Sequence, residues 1–277
     1  MSMRLSFYTY SYTDRQNLSI EDCLARIAKT GYAGIDESGT FGASADPKSV
    51  TPERRRRVRE TARKHKLAVE AVITHAELTK TLAGPTPLDL QGSVDLAVDL
   101  GAPLVTFHLG GPVKELSEEA LWARTVAAIR AAARYGSTKH VAVAIDLGPW
   151  PEWIVNSTDS LARLFDDVAE PDFGVNFDPS YLTLMGIDPV QFVKRFASRI
   201  KHAHLKDHVG KYPKWEHHIA GKGELNYVPI FAALAEAKFT GSMAVECFVD
   251  MKFEEACDDG YAAMAEALRK AGVHPSS

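Results

Sequence analysis

Phe173-Gly-Val-Asn-Phe-Asp178-Pro-Ser-Tyr181 and, one helix later, Ile200-Lys-His202-Ala-His204-Leu-Lys206-Asp207-His208 decide the fold. Each is a short apolar run bounded by turn residues, the pattern of a strand buried on both faces of a parallel sheet. Asp188-Pro189 opens the helix between them, with proline at the first helical position. A strand–helix–strand unit returns the chain to the same sheet edge, so the two strand ends lie side by side. The first run ends in the carboxylate of Asp178 and the second in the imidazole of His204. Oxygen and imidazole donors converging on one edge make a candidate metal site.

The same alternation runs through the whole chain. Further strands are expected at 4–9, 33–37, 67–73, 103–108, 141–146 and 242–246. Helices are expected to follow them. Ser19 begins one with Asp22 three residues on, and Gly31 stops it; Thr51-Pro52 caps the next. Others cover 88–100, 117–135, 157–168, 227–238 and 254–271. Eight strand–helix units, spaced roughly 35 residues apart, fit an α/β protein built as one closed (β/α)₈ TIM barrel. Residues 1–277 are read as this single domain, with the active site at the C-terminal ends of the strands. An open dinucleotide-binding sheet would need a glycine fingerprint after strand one, and Thr9-Tyr10-Ser11-Tyr12 is not one. Three loops at the mouth are long: a Gly/Ser/Asp-rich one leading to Pro47, one with Trp150 and Trp153, and one at 210–223 with Trp215, His217 and His218.

Composition narrows the function classes. The chain has 277 residues, 45% apolar and 25% charged, with a net charge of −4. That balance gives no general attraction to nucleic acid or anionic lipid. Arg54 to Arg57 reads as a solvated helix face. Cys23, Cys247 and Cys257 form no CxxC pair, which suits a reducing compartment rather than a disulfide framework. The N-terminus lacks an apolar signal region, and no apolar run reaches the ~20 residues that cross a bilayer. A cytoplasmic enzyme with no membrane partner is the expectation, with a homo-oligomer left open.

The last polar residues of the strands read Glu37, His75, His108, Asp146, Asp178, His204 and Glu246. A cluster of charges buried at one mouth is costly unless paired or bound to metal. The chain here resembles the xylose isomerase-like barrels, a group of sugar-phosphate isomerases and epimerases, hexulose 3-epimerases, inosose dehydratases and apurinic endonucleases. The likeness rests on Asn176-Phe-Asp178-Pro-Ser-Tyr181 with Gly186-Ile-Asp188-Pro, His202-Ala-His204-Leu-Lys206-Asp207, Gly221-Lys-Gly223-Glu-Leu-Asn226 and Gly241-Ser-Met-Ala-Val-Glu246.

The resemblance implies one divalent metal (Mn, Mg, Co or Zn) held by Asp146, Asp178, His204 and Glu246. Asp146 stands where the epimerase branch has glutamate, one methylene longer, and Tyr181 stands where relatives often have histidine. The tyrosine argues for one metal rather than several. Glu246 and Asp146 are the candidate acid/base pair for proton abstraction α to a carbonyl through a metal-stabilised enediolate. A helix cap or an acid that only supports a ligand, for Asp146, and a structural salt bridge, for Glu246, are the competing readings. His202, two residues before His204, could serve in place of it or be structural.

His75, His108, Lys206, Trp150 and Trp215 are the candidate substrate contacts, the tryptophans as walls for a small carbohydrate. Against these stand core histidines, a Lys206–Asp207 ion pair and loop packing. The expected activity is that of a sugar or polyol isomerase or epimerase. A lyase or dehydratase of a keto-sugar, inosose or keto-glycoside is the alternative, and a non-catalytic sugar-binding barrel the third.

Overall fold

The computed structural model describes residues 2–39, 47–84, 88–247 and 251–276, so residues 40–46 of the Gly/Ser/Asp-rich loop lie outside the described residues. In chain order the strands are β1 (Ser2–Tyr8), β2 (Gly34–Ser38), β3 (Ala68–Glu77), β4 (Leu104–His108), β5 (Ala142–Asp146), β6 (Phe173–Phe177) and β7 (Ile200–Leu205). Then come β8 (Asp207–Lys211), β9 (Lys214–His218), β10 (Ser242–Val245) and a short β11 (His274–Ser276). β1 to β7 and β10 are parallel neighbours, and β10 pairs with both β7 and β1, which closes the expected eight-stranded barrel. β11 adds beside the start of β1.

The helix signals read from the sequence are made as caps. Ser19 accepts from the Asp22 amide, and Thr51 from the Arg54 amide ahead of Pro52. Asp188 accepts from the Val190 and Gln191 amides ahead of Pro189. Each cap satisfies amides that a helix start would otherwise leave unpaired. Two elements differ from expectation. β3 runs past residue 73, through His75 to Glu77. The stretch expected as a long loop at 210–223 is in large part an antiparallel hairpin, β8–β9, in which Asp207 pairs with His218 and Lys211 with Lys214.

Alternation along the strands splits the buried side chains into two sets. The larger lies between the sheet and its helices and includes Phe7, Phe107, Phe173 and Phe177, all fully buried. The smaller fills part of the barrel interior with Tyr8, Ala71, Ile73, Leu104 and Ala144. Apart from Ala244, the other buried interior positions are largely polar, among them Ser6, Asp36, Thr106, Asn176, His202, His204 and Lys206. The barrel is therefore held from outside, by apolar helix packing, while its inside carries charge. Cys23, Cys247 and Cys257 are free and buried. Among the described residues no helix is long and apolar enough to cross a membrane.

Phe177 packs on Phe192 in the outer layer. Phe177→Ala should lower the unfolding free energy by about 3–5 kcal/mol, read as a shifted urea midpoint with an unchanged slope. A loss under 1 kcal/mol would show that the outer layer does not carry the barrel.

Candidate functional site

The end of β7 and the start of β8 organise the mouth. His202, His204 and Lys206 share one side of the chain by alternation and are all buried. The Lys206 ammonium is in direct contact with the carboxylates of Asp178 and Glu246. His204 Nδ1 lies 3.5 Å from Asp146 Oδ2 and 3.6 Å from Glu246 Oε2. One donor atom each of Asp146, Asp178 and His204 falls within 4.8 Å of the others. Asp178 serves twice, since its Oδ1 accepts from the Tyr181 amide and caps the helix that starts at Pro179. The structure thus brings Asp146, Asp178, His204, Lys206 and Glu246 together, as the sequence suggested, and Lys206 pairs with Asp178 and Glu246 rather than with Asp207.

The donor set suits a hard or borderline divalent cation. Asp146 Oδ1 and His204 Nδ1 are buried with no hydrogen-bond partner among the described residues. Three carboxylates against the Lys206 ammonium leave two negative charges, the deficit that one divalent cation fills. Burial raises all three carboxyls, and the charges around each oppose or aid it. His204 and His108 pull Asp146 well below the usual range, and Lys206 and His204 pull Glu246 down. Asp178 stays up at about 6, because its burial, aided by Asp146 and Glu246, outweighs the effect of Lys206. Burial disfavours the charged imidazole of His204, yet Glu246, Asp146 and Asp36 carry it up to about 10. A proton there does part of what a cation would do.

Strand two corrects the sequence reading by one residue. Glu37, expected at the mouth, instead meets Arg54 of the helix Pro52–Lys64 and the Thr9 hydroxyl. The inward residue is Asp36, fully buried. Its Oδ2 lies 2.7 Å from His202 Nε2 and 3.3 Å from His204 Nε2. With Asp36 on the Nε2 side and Asp146 and Glu246 on the Nδ1 side, the ring is favoured as the doubly protonated cation, and a metal at the mouth would take the place of the Nδ1 proton. His202 is thus held by Asp36, and one donor atom each of Asp36, His202 and His204 also falls within 4.8 Å of the others. Nothing in the apolar spacing separates Asp36 from Glu37, so the register of β2 against its neighbours was the missing signal.

Above the floor runs an arc of rings. It passes from Tyr10 to His75, His108 and Trp153, then through Trp150, Tyr181, His217 and Trp215 to Tyr212, in centroid steps of 4.4 to 6.2 Å. Two rings tie the arc to the floor. Tyr181 lies under the Lys206 ammonium, 3.8 Å from its centroid. Tyr8 stacks on His204 and its hydroxyl contacts His75 Nε2. His75, His108, Trp150 and Trp215 therefore sit where the sequence placed them, at the mouth. Tyr181 and His217, noted in the sequence for other reasons, join them, as do Tyr8 and Tyr10 from positions that no motif marked. Gly148 makes room for Trp150, since a Cβ there would lie 2.2 Å from the indole.

Asp207 holds the loop beyond the hairpin rather than facing the mouth. Its carboxylate accepts from the amides of His208, Gly221 and Leu225. The glycine-rich turn at 221–223 is thus already wrapped around an anion of the chain itself.

Comparison with known proteins places this geometry. The model of the family described as xylose isomerase-like TIM barrel matches residues 24–271. The inosose dehydratase of Clostridium perfringens (strain 13 / Type A) is 27% identical over 112 residues, which covers 35% of this chain and 38% of that protein. The match therefore spans well under half the length of the curated relative. Among solved structures, the IOLI protein with a bound zinc atom superposes with a TM-score of 0.78 at 17% identity, covering 97% of this chain and 99% of the other. The D-psicose 3-epimerase of Clostridium cellulolyticum H10, solved with D-tagatose, gives 0.78 at 15% identity, also over 97% and 99%.

Asp36→Asn should weaken zinc binding about 10–100-fold in a competition titration with a chromophoric chelator; unchanged affinity would assign Asp36 to packing. A second expectation concerns His75, which burial first and His108 second push down to about 4. The unfolded chain, with a histidine near 6.5, binds that proton first. The stability it carries is complete above about pH 6.5 and is lost as the pH falls toward 4. Across that window the melting temperature of wild type should fall more steeply than that of His75→Gln, and parallel curves would contradict the assignment.

Proposed function

The chain belongs to the xylose isomerase-like TIM barrel family, and from that premise we propose that it is a metal-dependent enzyme that removes a proton α to a carbonyl of a small carbohydrate. The observation that carries the reading is the floor of the mouth. Asp146, Asp178 and His204 offer donor atoms within 4.8 Å of one another, with Glu246 3.6 Å from His204 Nδ1. Those four side chains would hold a single divalent cation (Mn, Mg, Co or Zn). Bound there, the cation supplies a Lewis acid for the charge that develops on a substrate oxygen.

The remaining steps belong to the chain's own groups. Glu246 has 14% of its side chain exposed, against 5% for Asp146 and 1% for Asp178, so it is the carboxylate that a substrate meets. Lys206 and His204 keep it ionised, in the state a base requires. Lys206, bridging Asp178 and Glu246, fixes the orientation of the Glu246 carboxylate. His75 and His108 line the arc on the side of β3 and β4 and bind hydroxyls there. Trp150 and Trp215 wall the mouth. In an isomerase or epimerase Asp146 returns the proton on the opposite face.

The lyase reading keeps the same first step and then expels a β-hydroxyl. It is favoured by the likeness to inosose dehydratases and by the burial of Asp146 against His204, which ties down the second carboxylate that epimerisation needs. Free, buried cysteines suit a cytoplasmic location.

Purified protein should carry one divalent metal per chain by elemental analysis, and Asp178→Ala and His204→Ala should each lose it. Full occupancy in either variant would refute the site. Turnover in deuterium oxide should place solvent deuterium α to the carbonyl. Product mass then separates the two classes: an isomerase conserves it apart from deuterium, while a lyase loses water.

A further inference from the structure

We propose that the ring arc is a binding site for a planar apolar substituent of the substrate, so that the substrate class is a carbohydrate bearing an aromatic group rather than a free sugar or a sugar phosphate. The proposal deepens the carbohydrate reading above and rests on it.

Three observations carry it. First, the arc is far longer than one sugar. A pyranose face covers one or two rings, whereas the arc continues without a gap from the floor at Tyr181 to Tyr212 at the tip of the hairpin. Second, its outer members are accessible. Trp150 and Trp215 are half-buried and Tyr212 is 40% exposed, one of three large apolar side chains exposed among the described residues. These partly exposed rings offer apolar faces on which a planar group can stack.

Third, the stretch of the arc from Tyr181 to Trp215 is bordered by groups that are already engaged, the cations Arg15 over Tyr10 and Lys211 and Lys214 beside Tyr212 standing only at its two ends. Lys206 is committed to Asp178 and Glu246. The glycine turn at 221–223 encloses the Asp207 carboxylate. His217 accepts from the Trp215 indole N–H at 3.1 Å, and burial with the charge of Lys206 keeps it neutral to about pH 4. A neutral imidazole between a tyrosine and a tryptophan suits a planar uncharged partner.

The test is calorimetric titration of metal-loaded protein, its metal content measured beforehand, with phenyl β-D-glucopyranoside, methyl β-D-glucopyranoside and glucose 6-phosphate. Wild type should bind the phenyl glycoside at least about tenfold more tightly than either of the others. Trp150→Ala and Trp215→Ala should each reduce the phenyl-over-methyl ratio toward one, with circular dichroism confirming that the variants fold. A phenyl glycoside bound no better than the methyl one, including no binding of either, would overturn the proposal, as would preference for the phosphate. Because metal content and deuterium exchange are measured separately, loss of the aromatic preference with both intact defeats this inference alone.

Discussion

Three carboxylates stand buried around one lysine and one histidine at the end of a parallel barrel, and the rest of the structure depends on that cluster being compensated. Charges removed from water cost several kcal/mol each unless opposed at close range. Lys206 meets two of the carboxylates and His204 faces the third. Inside the barrel the cluster meets only a small apolar set, with polar side chains among it. Its support comes from the eight closed strands and the apolar layer outside them. Closure makes the strand ends rigid neighbours, and rigid neighbours keep donors preorganised.

The orientation of His204 shows how the cluster is aimed. Asp36 addresses one ring nitrogen and the Asp146–Glu246 pair the other. Tyr8 stacks on the ring face. With both edges and a face constrained, the imidazole has little freedom to turn its donor away from the mouth. Tyr181 acts comparably on Lys206, lying under its ammonium. The aromatic arc and the charged floor are thus one assembly: the rings that border the mouth also hold the groups beneath it.

What the sequence shows and what it hides follow from this. The barrel was legible because a strand buried on both faces must be apolar and short, and because Ser19, Thr51 and Asp188 cap helices through local bonds. Asp178, His204 and Glu246 were legible because each ends such a run. Asp36 was not, since choosing between Asp36 and Glu37 requires knowing which way β2 faces, and that is set by pairing with β1 and β3. The hairpin was hidden for a related reason. Lys214-Trp-Glu-His-His218 lacks an apolar core face, and its pairing with β8 gives it shape. The arc was the least legible, because its members are scattered from Tyr10 to His217 and meet across loops.

Asp146 poses the remaining physical question, because it is one methylene shorter than the glutamate of the epimerase branch. A shorter acid can serve as ligand or as proton carrier, but serving both demands reach in two directions. Its Oδ2 faces His204 Nδ1 at 3.5 Å and the residue is 3% exposed. Glu246, with the longer side chain and the more open carboxylate, has the reach that Asp146 lacks. In the proposed chemistry that asymmetry would leave Asp146 to anchor and Glu246 to move protons. A site with one mobile carboxylate is better matched to a reaction that removes a proton on one face and discharges a leaving group than to one that must return the proton on the other. That argument supports the proposed lyase reading, and it rests on the contrast with the epimerase-branch glutamate together with the burial of Asp146.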